Sequence, residues 1–169
     1  RIKKDQVLLI QIVKEERGTK GAAVTTFISL PGRYSVLLPN NSSTGGVSKK
    51  ISNPLDRKRL KKLHDNFNLP DGMSLIIRTN AISAEDEDII ADFSYLRKLW
   101  TKIREDTLKS KAPVLITELD TPMIKVARDF NQRAIEEIIF SDFRTMKLYK
   151  KLEKDFSVKS KKKITHYKD

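Results

Sequence analysis

With 169 residues and 34 Lys plus Arg against 22 Asp plus Glu, the chain carries a formal charge of +12 and has the length of about one ordinary domain. Its hydrophobic residues, 38% of the total, are interspersed with charge, so no apolar run approaches the ~20 residues that a membrane-spanning helix needs. Zero cysteines exclude disulfides, thiol catalysis and cysteine-based zinc or iron–sulfur sites within this stretch. A pI near 9.8 points to a polyanionic partner, because clustered Lys and Arg gain free energy by releasing counterions from phosphate backbones.

Residue 1 is Arg, and residues 1–14 read as a strand with none of the three regions of a signal peptide, so the chain is expected to be an excised piece. Val7, Leu8, Leu9, Ile10, Ile12 and Val13 form a β-branched-rich run that ends in the polar turn Lys14-Glu15-Glu16-Arg17-Gly18. Residues 22–30 and 34–38 are β-prone, joined by Pro31-Gly32-Arg33 as a hairpin in which Gly32 can take positive φ. A polar stretch, 40–46, leads to a short basic strand over 47–51. From Pro54 the spacing of Leu55, Leu60, Leu63 and Phe67 predicts a helix that Leu69-Pro70-Asp71-Gly72 stops.

Residues 73–78 read as a buried strand ending in Arg78-Thr79. The longest helix follows, with Ser83 and Asp86 resembling a capping box and Ile89, Phe93, Leu96, Trp100 and Ile103 stepping along one face. Beyond Ala112-Pro113 the pattern alternates: strand 114–117, helix 122–132, strand 135–140, helix 142–154, and a basic edge strand over 158–169. Three zones result, a β fragment (1–26), a mixed α+β module (27–111) and an incomplete α/β layer (112–169).

The acidic run Glu85-Asp86-Glu87-Asp88 sits where carboxylates favour the positive end of a helix dipole, which explains it without a metal. His64 and His166 lie in no ligand or base spacing and read as surface residues. Glu118, Asp120, Glu136, Glu137 and Asp142 lie near strand ends, and N-capping explains several. No Walker-type loop occurs. Arg78-Thr79 differs. A buried strand that ends in a guanidinium and a hydroxyl can fork two phosphate oxygens and bond a third, although an arginine ion-paired at a strand end is the plain alternative. Gly32, whose missing Cβ would let backbone N–H groups approach a ligand, and Lys49-Lys50 on a neighbouring strand suggest a small anion pocket.

The stretch from Lys14 to Tyr34 (KEERGTKGAAVTTFISLPGRY) resembles the signature of the bacterial ribonuclease E/G family. Further matches, in the family's order, are Leu38-Pro39-Asn40-Asn41, Gly45-Gly46-Val47-Ser48-Lys49-Lys50-Ile51, Leu69-Pro70-Asp71-Gly72-Met73 and Ile76-Ile77-Arg78-Thr79. The resemblance implies an α+β chain of three pieces: the last strands of an oligonucleotide-binding barrel (1–26), a mixed-sheet 5′-sensor (27–111) and part of an RNase H-like domain (112–169). It implies that Arg78, Thr79, Gly32 and Val36 bind the 5′-monophosphate of single-stranded RNA, and that Lys14, Lys20, Lys49 and Lys50 contact the RNA backbone. Lysines at 49 and 50 depart from the family's common arginines, which should keep attraction but lose bidentate geometry.

The family's magnesium-holding aspartates and zinc-linking cysteines fall outside this sequence, so no catalytic or metal residue is expected here, whereas the parent would be a magnesium-dependent, zinc-linked endoribonuclease. That parent is expected to be cytoplasmic and homo-oligomeric, processing and degrading RNA. A nonspecific basic RNA-binding module without end sensing is the main alternative; an autonomous metal-dependent nuclease and a segment for assembly with other proteins rank lower.

Overall fold

The computed structural model describes residues 2–119, 121–130, 135–154 and 162–167. The carboxylate of Asp120, the expected helix end at Gln132 and half of the terminal basic segment, 158–161 and 168–169, lie outside the described residues. Among the described residues the architecture is mixed α/β, with three sheets, none of them closed.

The polar turn after the first apolar run makes a hairpin. Strand β1 (Gln11–Lys14) pairs antiparallel with β2 (Ala23–Thr25). Arg17 and Lys20 exchange backbone hydrogen bonds of 3.0 and 3.1 Å, and Gly18 takes φ 59°, a left-handed conformation that glycine adopts without steric cost. The expected strand over 22–30 is interrupted, because side chains take the place of a ladder. Ile28 N–H donates to Asn40 Oδ1 at 2.9 Å, and Ser29 exchanges hydrogen bonds of 2.8 and 3.0 Å with the Gln11 carboxamide. That exchange ties the hairpin to the four-stranded sheet, whose first strand begins one residue after Ser29.

This sheet comprises β3 (Leu30–Pro31), β4 (Ser35–Leu38), β5 (Gly46–Val47) and β6 (Ser74–Ile77), in the order β3-β4-β6-β5. Only the β5–β6 pair is parallel. The same-face pairs Leu37–Leu75 and Ser35–Ile77 are buried, while Val36 and Ile76 are half-exposed on the other face. Two helices, α1 (Pro54–Asp65) and α2 (Asp86–Lys109), cover the buried face. Phe93, Leu96 and Ile103 of α2 pack with Leu30, Leu37 and Leu75; Leu60 and Leu63 of α1 pack with Tyr34, Ile51, Ile77 and Ile89. Each fully buried Leu contributes about 2–5 kcal/mol relative to Ala.

The start of α1 is as expected, with Pro54 in the first turn and the Asn53 side chain accepting from Leu55 N–H at 2.8 Å. The Ser83–Asp86 capping box does not form. A 3-10 turn, Thr79–Ala81, occupies the preceding backbone, α2 begins at Asp86 behind Glu85, and the Asp86 carboxylate pairs with Arg59 at 2.5 Å instead. The basic strand over 47–51 is also shorter than expected. Ile51 N–H donates to Ser48 C=O at 3.1 Å, so Lys49 and Lys50 are the two corner residues of a turn.

Residues 114–117 form no ladder among the described residues. Val114 and Leu115 are exposed, and Ile116 packs against the first core cluster. The remainder alternates as expected: α3 (Pro122–Asp129), β7 (Glu137–Phe140), α4 (Phe143–Glu153) and β8 (Lys163–His166), the two strands parallel. Asp142 caps α4, accepting from Thr145 N–H and Oγ1–H at 2.6 Å each, and these bonds hold its carboxyl below the ordinary carboxylate range.

Candidate nucleic-acid interface

Strand order and register bring one end of three strands to a common margin. Because β4 runs antiparallel to β6 with Ser35 opposite Ile77, the residues before β4, Gly32 to Tyr34, lie beside Arg78. Because β5 runs parallel to β6 with Val47 opposite Ile77, the residues after β5 lie there too. Arg78 N–H donates to Tyr34 C=O at 2.8 Å, and Ser48 N–H donates to Ile77 C=O at 2.9 Å. Gly32, Lys49, Lys50, Arg78 and Thr79 therefore share one sheet edge. Val36, opposite Ile76 on the half-exposed face, is one register step inside it.

The Arg78 guanidinium is half-buried, and its Nη1 donates to Gly32 C=O at 2.7 Å. No carboxylate pairs with it among the described residues, which removes the plain alternative of an ion-paired strand terminus. One N–H of the guanidinium is spent on a neutral carbonyl, and its side chain makes no other hydrogen bond among the described residues. Thr79 is exposed and opens the 3-10 turn.

Gly32 works differently from the expectation. It does not take positive φ, and the N–H groups of its turn do not face a ligand. Gly32 N–H donates to Ser35 C=O at 2.8 Å, and the next three N–H groups converge on one carboxylate. Arg33 N–H donates to Asp92 Oδ1 at 2.9 Å; Tyr34 N–H, Ser35 N–H and the Ser35 hydroxyl donate to Oδ2 at 3.1, 2.9 and 2.8 Å. A Cβ on residue 32 would lie 2.4 and 2.6 Å from the two Asp92 oxygens, so glycine is required for close approach. Burial pushes the Asp92 carboxyl above the ordinary range, against the four donors that favour its charged form.

Asp92 is the residue that sequence reasoning missed. Its signal was a carboxylate three residues after Ile89 and four before Leu96, on the apolar stripe of α2, where a charged group must find partners. Arg33 was also missed. Its guanidinium donates to Asp129 C=O at the end of α3 and stacks over the Tyr34 ring, 5.2 Å from the centroid, linking the turn to the C-terminal region.

The other candidates fall elsewhere. Lys14 and Lys20 are exposed on the β1–β2 hairpin, not on the four-stranded sheet. His64, expected at the surface, is partly buried with Nε2 3.1 Å from Leu75 C=O, and His166 on β8 lies edge-on to Phe143. Among the described residues no group of three or more His, Asp or Glu is placed to hold a metal ion. No helix among the described residues is long and apolar enough to cross a membrane.

Sequence comparison decides the family. A model of the Ribonuclease E/G family matches residues 29–169, which contain the whole sheet margin. The chain belongs to the Ribonuclease E/G family. It is 39% identical over 147 residues to Ribonuclease E of Escherichia coli (strain K12), covering 87% of this chain and 14% of that protein. It is 32% identical over 169 residues to Ribonuclease G of the same organism, covering 98% of this chain and 34% of the relative. A putative ribonuclease E of Buchnera aphidicola subsp. Baizongia pistaciae is 39% identical over 147 residues, with 36% of its length covered. This Ribonuclease E/G chain thus spans between about one seventh and about one third of these relatives' lengths. Gly32, Val36, Lys49, Lys50, Arg78 and Thr79 fall within the matched span, and Lys14 and Lys20 precede it.

Proposed function

We propose that this chain is the RNA-binding, 5′-monophosphate-sensing portion of an endoribonuclease that processes and degrades single-stranded RNA. The observation that carries the reading is the Arg78 guanidinium, free of any carboxylate among the described residues and aligned by the Gly32 carbonyl, beside Thr79 and the Lys49–Lys50 turn. A terminal phosphate monoester carries about −1.5 to −2 charges against −1 for an internal diester. It also presents more oxygens to a guanidinium fork and an adjacent hydroxyl. A 5′-hydroxyl end offers neither. Val36 and Ile76, paired across β4 and β6 on the half-exposed face one step inside the margin, support Val36 as an apolar wall of the site.

In the longer protein, capture of the 5′ end raises the effective concentration of the downstream strand at the cleavage centre, so a modest contact at the margin biases substrate choice. Residues 27–111 form the sensor. Residues 1–26 belong to an oligonucleotide-binding barrel, with Lys14 and Lys20 on the RNA backbone; the exposure of Ile12, Val13 and Val24 suits a hairpin that packs on further strands. Residues 112–169 belong to an RNase H-like layer. We assign no catalytic role to any residue of this chain. The longer protein works in the cytoplasm as a homo-oligomer.

The test is a binding titration with one oligoribonucleotide bearing either a 5′-monophosphate or a 5′-hydroxyl. A net gain of about 1.5–3 kcal/mol from charge-assisted hydrogen bonding predicts a preference of about ten- to a hundredfold for the phosphate, abolished by Arg78→Ala and reduced by Thr79→Val. Equal affinity for both ends in the wild-type chain would leave a nonspecific basic RNA-binding module.

A further inference from the structure

The outward face of α1 carries a second basic feature that the phosphate site does not use. Leu60 and Leu63 face the core, and Arg59 turns sideways to Asp86 and to the carbonyls of Ala81, Ile82 and Ala84. The opposite arc presents Lys58, Lys61 and Lys62, all exposed, and none forms an ion pair among the described residues. Lys58 is three and four residues before the other two, so like charges share one helical face, which costs about 0.2–0.5 kcal/mol per pair in an isolated helix. A helix that pairs Arg59 sideways with Asp86 and leaves three neighbouring lysines open to solvent is suited to meet negative charge.

That face is joined to the sheet margin by Arg57. Its Nη1 donates to Ser48 C=O at 3.1 Å and to Ile51 C=O at 3.3 Å, the two ends of the turn whose corners are Lys49 and Lys50. The turn is itself fixed to Ile77, next to Arg78, through Ser48 N–H. Basic side chains therefore extend from the candidate phosphate site, over the turn, to the outer face of α1, whose last turn also carries the exposed Asp65.

We infer that the outer face of α1 is a track for the RNA backbone, on which Lys58, Lys61 and Lys62 hold the phosphodiesters downstream of a 5′ end seated at Arg78. The inference rests on the end-sensing reading for its starting point. Single-stranded RNA is the occupant because unpaired lysines with no aromatic neighbour on the stripe give point charges that follow a backbone without reading bases.

The experiment compares the whole chain with its Lys58→Gln/Lys61→Gln/Lys62→Gln variant and with Arg78→Ala, using 5′-monophosphorylated RNA as a dinucleotide and as a decamer across a salt titration. For the decamer, the triple variant should lower the slope of log K against log salt by about 2, roughly 0.7 for each phosphate of a single strand that the protein no longer neutralises. The dinucleotide, which has a single diester beyond its terminal phosphate, should bind the triple variant nearly as it binds wild type, and the preference for phosphate over hydroxyl should be unchanged. An unaltered decamer slope overturns the track, including the case in which α1 instead serves an acidic protein. A phosphate preference that survives Arg78→Ala overturns the end-sensing reading and leaves the slope measurement to judge the track alone.

Discussion

Replacing Asp92 by alanine tests how the candidate site is built. The side chain accepts four hydrogen bonds from Arg33, Tyr34 and Ser35, and its removal leaves the N–H groups of Tyr34 and Ser35 buried with no acceptor, while the half-exposed Arg33 turn can take water. At about 1–3 kcal/mol for each stranded donor, offset in part by relief of a buried charge, the loss is about 3 kcal/mol. With a urea slope of about 2 kcal/mol/M, the midpoint should fall by about 1.5 M. The single Trp100, packed against the first core cluster, reports the transition by its fluorescence. The Gly32 carbonyl loses its fixed position with the turn, so the end preference of the surviving folded protein should fall as well. An unshifted midpoint together with an intact end preference would refute the claim that Asp92 organises the turn.

Gly32→Ala places a Cβ 2.4 Å from an Asp92 oxygen and should cost about 1–3 kcal/mol. In an Asp92→Ala background the same change should cost far less, and additive losses in that double-mutant cycle would contradict the close approach. The two perturbed carboxylates give opposite acid responses. Asp92 is raised, so its native form takes a proton more readily than the unfolded chain, and stability from this group rises as pH falls from its folded value toward 3.8. Asp142 is lowered, so its contribution is present above 3.8 and is lost as pH falls through its folded value. Urea midpoints in neutral and mildly acidic buffer should therefore show the advantage of wild type over Asp92→Asn widening on acidification, and a narrowing advantage would contradict the sign.

The helices were legible where local chemistry sets them. Asn53-Pro54 starts α1, and the stripe from Ile89 to Ile103 buries α2. The sheet margin was legible in part, since Arg78-Thr79 closes a short apolar run. Features that the residues did not disclose depend on partners distant along the chain. The Gly32 turn is shaped by a carboxylate 60 positions later, so local turn chemistry suggested positive φ where the actual demand is space for Asp92. The run over 22–30 has β-branched residues enough for one strand, yet Gln11 and Asn40 satisfy its backbone with side chains. Residues 114–117 carry strand composition without a neighbouring strand to pair with among the described residues, and a strand exists only as a pair.

Arg78 is proposed to hold a terminal phosphate monoester. Phosphorus NMR of a 5′-monophosphorylated oligoribonucleotide separates the terminal resonance from the diesters and reads that contact directly. Titration with the wild-type chain should shift the terminal resonance first and farthest, and the Arg78→Ala chain should leave it near its free position. Movement of the diester resonances alone, equal for both chains, would contradict the account.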